Sequence, residues 1–338
     1  MAKQLGYACI NKQLRKQDIY TGRTMRRKTY DAKGLDYVSE ICIANANDLI
    51  KIIQWNEDNN IKVFRMSSSI FPWMSEYEFT DLPMYKELLS ILQQAGKLAK
   101  SYNQRLSFHP GQFCVLASPH KKVVDSAIRE LNQASVIMDM MGLPNTRMSK
   151  INIHVGGAYG DKQAALSRFC ANYLRTSPGV QSRLTVENDD KASMYSVMDL
   201  YQYVYSVVGI PIVFDYHHHK FCPGGLSEEG ALKLAASTWG NIKPCTHYSE
   251  SMLIKENVVG KKPQAHSDYI YDEINTYGLN IDIVVEAKGK ELAVQQYFEK
   301  YGQPEIVTKE LWDHYSELPN PAWYDYKNNT KEDEQLVS

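Results

Sequence analysis

Six short strand-like runs in this chain each stop on a side chain that can bind a metal. They are 104–109 (QRLSFH), 149–154 (SKINIH), 183–187 (RLTVE), 210–215 (IPIVFD), 242–247 (IKPCTH) and 280–286 (NIDIVVE), closing on His109, His154, Glu187, Asp215, His247 and Glu286. Runs of this length and apolar content read as strands buried on both faces. Between them the apolar residues fall at helical spacing, over 121–142, 161–175, 195–208, 227–239 and 268–277. Two further pairs come first: strand 4–10 with helix 36–60, broken near Ala44–Asn47, and strand 61–67 with helix 82–102. Helix 289–301 follows the last strand. Eight strands alternating with eight helices predict an α/β fold, a (β/α)8 TIM barrel over residues 1–305. All strand C-termini of such a barrel open on one face, so residues far apart in sequence converge there. One polar strand end means little; six in succession, all of ligand type, point to a built site.

The stretch Ile210–Lys220 (IPIVFDYHHHK) concentrates that chemistry. The chain has nine histidines, and three of them stand together as His217, His218 and His219. An Asp followed three residues later by His can serve neighbouring divalent ions. The plainer reading is a solvated histidine turn, and His217 and His219 are left to it or to a supporting role. His218 and His266 lie near the six strand ends in sequence. Eight candidates exceed the four to six or so ligands that one ion takes, which implies two or three ions sharing carboxylates. Mixed imidazole and carboxylate ligation fits Mn²⁺ or Zn²⁺ better than Mg²⁺. Closely spaced ions suit phosphodiester hydrolysis. There is no P-loop, GxGxxG or HExxH, so neither a nucleotide cofactor nor zincin chemistry is expected.

The remaining features bound the partners. Formal net charge is -1, which carries no global basic signature. Arg23, Arg26, Arg27 and Lys28 form a basic run that reads first as a solvated loop and second as a phosphate contact. The six cysteines are scattered without a CxxC pair, as in reduced intracellular proteins. MAKQLGYACI lacks the apolar run of a signal peptide, and no stretch reaches the roughly 18 apolar residues of a membrane span. The expectation is a soluble, intracellular monomer without a membrane partner. Residues 306–338 are polar, with a charged run from Lys327, and are expected to be a partly disordered C-terminal extension.

Nine segments in order then resemble one family: LGYACIN (5–11), FRMSSSIFP (64–72), FHPGQF (108–113), INIHVGG (151–157), LTVENDD (184–190), VFDYHHH (213–219), THYSES (246–251), AHSDYI (265–270) and VVEAKGKE (284–291). The chain resembles the UV damage endonucleases, metal-dependent repair nucleases with a TIM barrel like that of endonuclease IV. The resemblance implies a site of three divalent ions, Mn²⁺ usually, with Zn²⁺ or Co²⁺ as substitutes. His109 and His154 would hold one ion. Glu187 would bridge it to a second, completed by Asp215, His247 and Glu286, and His218 and His266 would hold the third. Glu187, Asp215 and Glu286 would carry the catalysis. Tyr7, Asn11, Gln112 and Phe113 match residues that meet DNA or the lesion. The family more often has Tyr at the position of Phe113, and some members have Lys at that of Cys245.

The function so implied is a DNA repair endonuclease. It would act on damaged double-stranded DNA and nick 5′ to cyclobutane dimers and 6-4 photoproducts, leaving 3′-OH and 5′-phosphate ends. The alternatives are an abasic-site endonuclease of the endonuclease IV type and, more remotely, a metal-dependent TIM-barrel sugar isomerase. An isomerase needs two ions and has no use for a GQF wedge. A non-enzymatic DNA-binding module would have no use for eight ligand-type residues.

Overall fold

The computed structural model describes residues 3–304, so the expected C-terminal extension lies outside the described residues. Eight parallel strands form the barrel: β1 Gln4–Ala8, β2 Val63–Met66, β3 Arg105–Phe108, β4 Ile151–Ile153, β5 Leu184–Glu187, β6 Ile212–Val213, β7 Cys245–Tyr248 and β8 Asp282–Val285. Neighbours pair in chain order, and β1 returns to pair with β8. Between β6 and β7 the ladder is reduced to one parallel bridge, Asp215 with His247, where the His247 N–H donates to the Phe214 carbonyl at 2.9 Å. This is a (β/α)8 TIM barrel, and two of the strand-end candidates make the contact that closes it.

Helices cover the outside because their apolar residues recur at helical spacing. Tyr85–Ser101 buries Leu88, Leu92, Ala95 and Ala99 along one stripe. Three elements differ from the sequence expectation. The helix Arg27–Asp58 runs unbroken through Ala44–Asn47, and its irregularity lies at Gly34, with φ +63°. Asn45 is tolerated mid-helix because its buried amide donates to the Arg23 and Ile70 carbonyls, at 3.0 and 2.8 Å. No helix forms over 268–277; the β7 crossover instead carries the short helix Met252–Glu256. There the Tyr271 and Asp272 N–H groups donate to the buried Glu250 carboxylate, each at 3.0 Å, which holds the chain off helical hydrogen bonding. The 197–208 helix contains a π turn at Tyr201–Tyr205.

Inside the barrel the two-residue side-chain period stacks three layers. β8 presents Asp282, Val284 and Glu286 in turn; β3 presents Arg105, Ser107 and His109. The lowest layer is a buried ion cluster, with Asp282 2.9 Å from Arg105 Nη1 and 2.7 Å from Lys243 Nζ. Above it lie the apolar side chains of Val63, Val213, Cys245 and Val284, with Ser107 at the same level on β3. The ligand-type residues form the top. At β1, Gly6 lets the backbone approach β2 closely: a Cβ there would sit 1.6 Å from the Val63 carbonyl oxygen. None of the described helices is long and apolar enough to cross a membrane.

Removing the Asp282 carboxylate would leave two buried cations without a counter-charge. Asp282→Ala should therefore cost about 3–5 kcal/mol, measured as a lower urea midpoint at an unchanged slope.

Candidate metal centre

The barrel mouth brings the strand-end residues together around Glu187. Ligand atoms of His109, His154 and Glu187 lie within 4.8 Å of one another, and so do those of Glu187, Asp215 and His247. Glu187 Oε2 is 3.7 Å from His109 Nε2, 3.8 Å from His154 Nε2 and 3.0 Å from His247 Nδ1. Its Oε1 is 3.5 Å from His218 Nδ1. Glu286 Oε1 lies 3.3 Å from His247 Nδ1, and its Oε2 lies 4.0 Å from His266 Nδ1. Asp215 Oδ2 is 4.0 Å from His218 Nε2. All eight candidate ligands thus border one connected cluster.

Hydrogen bonds behind the histidines set which nitrogen faces the mouth. His109 Nδ1 lies 2.9 Å from the Pro110 carbonyl and His218 Nδ1 lies 2.8 Å from that of Asn188. A carbonyl only accepts, so each Nδ1 carries the proton and each Nε2 is left with its lone pair. His154 Nδ1 is 2.9 Å from the Asp189 carboxylate, with the same consequence. His247 is turned round: its Nε2 lies 3.0 Å from the buried Lys150 Nζ, and its Nδ1 faces Glu187 and Glu286. Burial pushes the Lys150 ammonium down to about 8.

The charge balance calls for a cation. Asp215 Oδ2 and His266 Nδ1 are buried without a hydrogen-bond partner. Burial and the neighbouring Glu187 and Glu286 carboxylates push the Asp215 carboxyl up to about 7, against the pull of His218. Burial disfavours charge on His154, yet Glu187 and Asp189 raise it to about 10; likewise Asp215 and Glu187 raise His218 to about 9. Three carboxylates in one buried mouth draw protons onto nearby imidazoles, and divalent cations would supply the same charge. The donor set of imidazole nitrogens and carboxylate oxygens fits such ions.

Three contributors were missed by sequence reasoning. Arg65, on β2, pairs with Glu286 inside the mouth. It went unseen because β2 ends on no ligand-type residue. Asp189 and Lys150 support His154 and His247 from behind, and each reads in sequence as an ordinary polar residue. His266 sits on no strand. It arrives on a segment held by the Glu250 bonds and by the Met252 N–H donating to the Ala265 carbonyl at 2.8 Å.

Residues expected at DNA divide. Gln112 and Phe113 occupy the centre of a turn closed by the Cys114 N–H donating to the Gly111 carbonyl at 2.9 Å, and Phe113 is 81% exposed. Tyr7 and Asn11 are buried. On β1 the alternation turns Tyr7 outward to the helix layer, where its hydroxyl donates to Asn56 at 2.8 Å. Asn11 donates to the Tyr7 hydroxyl at 3.0 Å and caps the helix Lys12–Arg15. In the basic run, Arg23 is 2.7 Å from Asp48, and Arg27 pairs with Asp31 and Glu76.

The family model described as UV-endonuclease UvdE matches residues 3–311. The chain belongs to this UvdE family. It is 39% identical over 311 residues to the UV-damage endonuclease of Schizosaccharomyces pombe, covering 88% of this chain but only 50% of that relative. The chain thus spans half of that protein's length. With the putative UV-damage endonuclease of Acanthamoeba polyphaga mimivirus it shares 32% identity, over 88% of this chain and 91% of the relative. The crystal structure of SacUVDE superposes with a TM-score of 0.77 at 30% identity, covering 89% of this chain and 99% of the other. An amine reaches the β7 histidine from Lys150 on β4.

Because Asp189 fixes the proton on His154, Asp189→Asn should weaken Mn²⁺ binding about 10–100-fold. Calorimetric titration of Mn²⁺ into the metal-stripped protein measures it.

Proposed function

We propose that this chain is a divalent-metal-dependent DNA repair endonuclease. It cuts the phosphodiester 5′ to UV photoproducts in double-stranded DNA, leaving 3′-OH and 5′-phosphate ends. The observation that carries this is the convergence of Glu187 with His109, His154, Asp215 and His247 on the C-terminal face of the barrel. Membership of a family whose relatives are named UV-damage endonucleases gives the substrate class.

In this reading His109 and His154 hold one ion with Glu187; Glu187, Asp215, His247 and Glu286 hold a second; His218 and His266 hold a third. Mn²⁺ suits this ligand mixture. Such ions, when bound, neutralise a phosphodiester and lower the pKa of a water. Glu187 is the shared group, since its two oxygens face different histidines. Arg65 holds Glu286 in place as a charge partner. A photoproduct is poorly stacked, so extruding it costs less than extruding a normal base pair. Gln112 and Phe113, on their exposed turn, fill the gap, and Phe113 does so by stacking without a hydroxyl.

Nicking of UV-irradiated supercoiled plasmid tests the reading, with unirradiated and abasic plasmids beside it. We expect the UV plasmid to be nicked with Mn²⁺, to survive in chelator, and to survive Glu187→Gln. Cutting of the abasic plasmid alone would replace photoproducts with abasic sites as the substrate. Cutting of none, with Mn²⁺ bound, would overturn the nuclease reading.

A further inference from the structure

We propose that Tyr159, in the loop after β4, is a second nucleobase-stacking residue that works beside Phe113. The inference rests on the nuclease reading and goes beyond its expected DNA contacts.

Tyr159 stands five residues after His154, on the barrel face that carries the candidate ligands. The residue is 46% exposed. Its backbone has φ +50°, a region that side chains other than glycine seldom enter. The flanking Gly156 and Gly160 have φ +104° and +83°. An uncommon backbone that leaves an aromatic ring in solvent gains little from burial. The rest of the loop braces the ring. Gly157 lies beneath it, where a Cβ would come within 3.2 Å of the Tyr159 ring atoms. The Tyr195 hydroxyl donates to the Gly157 carbonyl at 3.3 Å. Gly156 packs against Val115, where a Cβ would come within 2.9 Å. Val115 follows Phe113 by two residues, so the loops bearing the two exposed rings are packed together. Arg168 lies 5.7 Å from the Tyr159 ring centroid, and its Nε donates to the Ala117 carbonyl at 2.9 Å. Arg168 thereby ties Tyr159 to the Phe113 loop and puts a cation next to the ring.

A preformed, exposed ring next to a cation matches the chemistry of an unpaired base on its phosphate backbone. Stacking needs no particular base, which suits a protein that meets different lesions. An extruded nucleotide leaves two surfaces without stacking partners, the gap in the duplex and the displaced base. Phe113 serves the first and Tyr159 the second.

The test compares the full chain with Tyr159→Phe and Tyr159→Gly. The glycine variant removes the ring while accepting the positive φ, so the loop folds without strain. Binding is followed by fluorescence anisotropy on a duplex with one cyclobutane dimer and on the undamaged duplex, with Ca²⁺ in place of Mn²⁺. Tyr159→Gly should weaken binding to the dimer duplex about tenfold or more and leave the undamaged duplex within about twofold, while Tyr159→Phe should match the unsubstituted chain. An unchanged affinity in Tyr159→Gly would overturn the inference and leave the nuclease reading intact. So would an equal loss in both variants, or an equal loss on both duplexes. An unsubstituted chain that neither prefers the dimer duplex nor nicks UV plasmid would overturn the nuclease reading, and this inference with it.

Discussion

Three carboxylates share one buried barrel mouth, and much of the local structure follows from keeping them there. Glu187 and Asp215 are almost completely buried, and Glu286 is only slightly exposed. Like charges so placed repel strongly and lose their hydration. The protein answers with Arg65 on Glu286, with imidazoles on every side, and with an unsatisfied Asp215 oxygen that asks for more positive charge. Such an arrangement makes poor sense as packing. Its cost is of the kind that a protein bears at a functional site.

The barrel makes the arrangement possible by separating stability from chemistry along the strands. The lower ion cluster of Arg105, Lys243 and Asp282 is complete in itself, each charge having a partner. The side chains of Val63, Val213, Cys245 and Val284 lie between that cluster and the mouth. The mouth can then be left short of positive charge without loosening the fold. The closing bridge between Asp215 and His247 joins the two roles, since the same residues complete the ladder and face the site.

Around the mouth, the orientation of four candidate ligands, His109, His154, His218 and His247, depends on a partner behind each. The carbonyls of Pro110 and Asn188, the carboxylate of Asp189 and the amine of Lys150 decide which imidazole nitrogen points inward. Glu250 acts one step further out by shaping the segment that carries His266. The exposed turn at Gln112–Phe113 and the braced Tyr159 loop rim the same face.

The sequence alone determined the architecture and most of the mouth, because both depend on local periodicity. Eight alternating patterns specify the barrel, and a polar residue at a strand end must open on its C-terminal face whatever the details. The 268–277 segment was misread as helix because its apolar spacing is real, while the Glu250 carboxylate that overrides it is distant in space from what local pattern can report. The direction of Tyr7 was not legible, because a motif match says nothing of which way a strand residue points; pairing of its hydroxyl with Asn56 was decided by the helix packed above. Arg65, Asp189 and Lys150 were invisible for a similar reason: an ordinary charged residue becomes part of a site only when another element brings a partner to it. Periodicity is a property of neighbours in the chain, and it reaches as far as elements and their order. Which nitrogen of a histidine is free, and which carboxylate lacks a partner, depends on contacts across strands, and only the tertiary structure decides them.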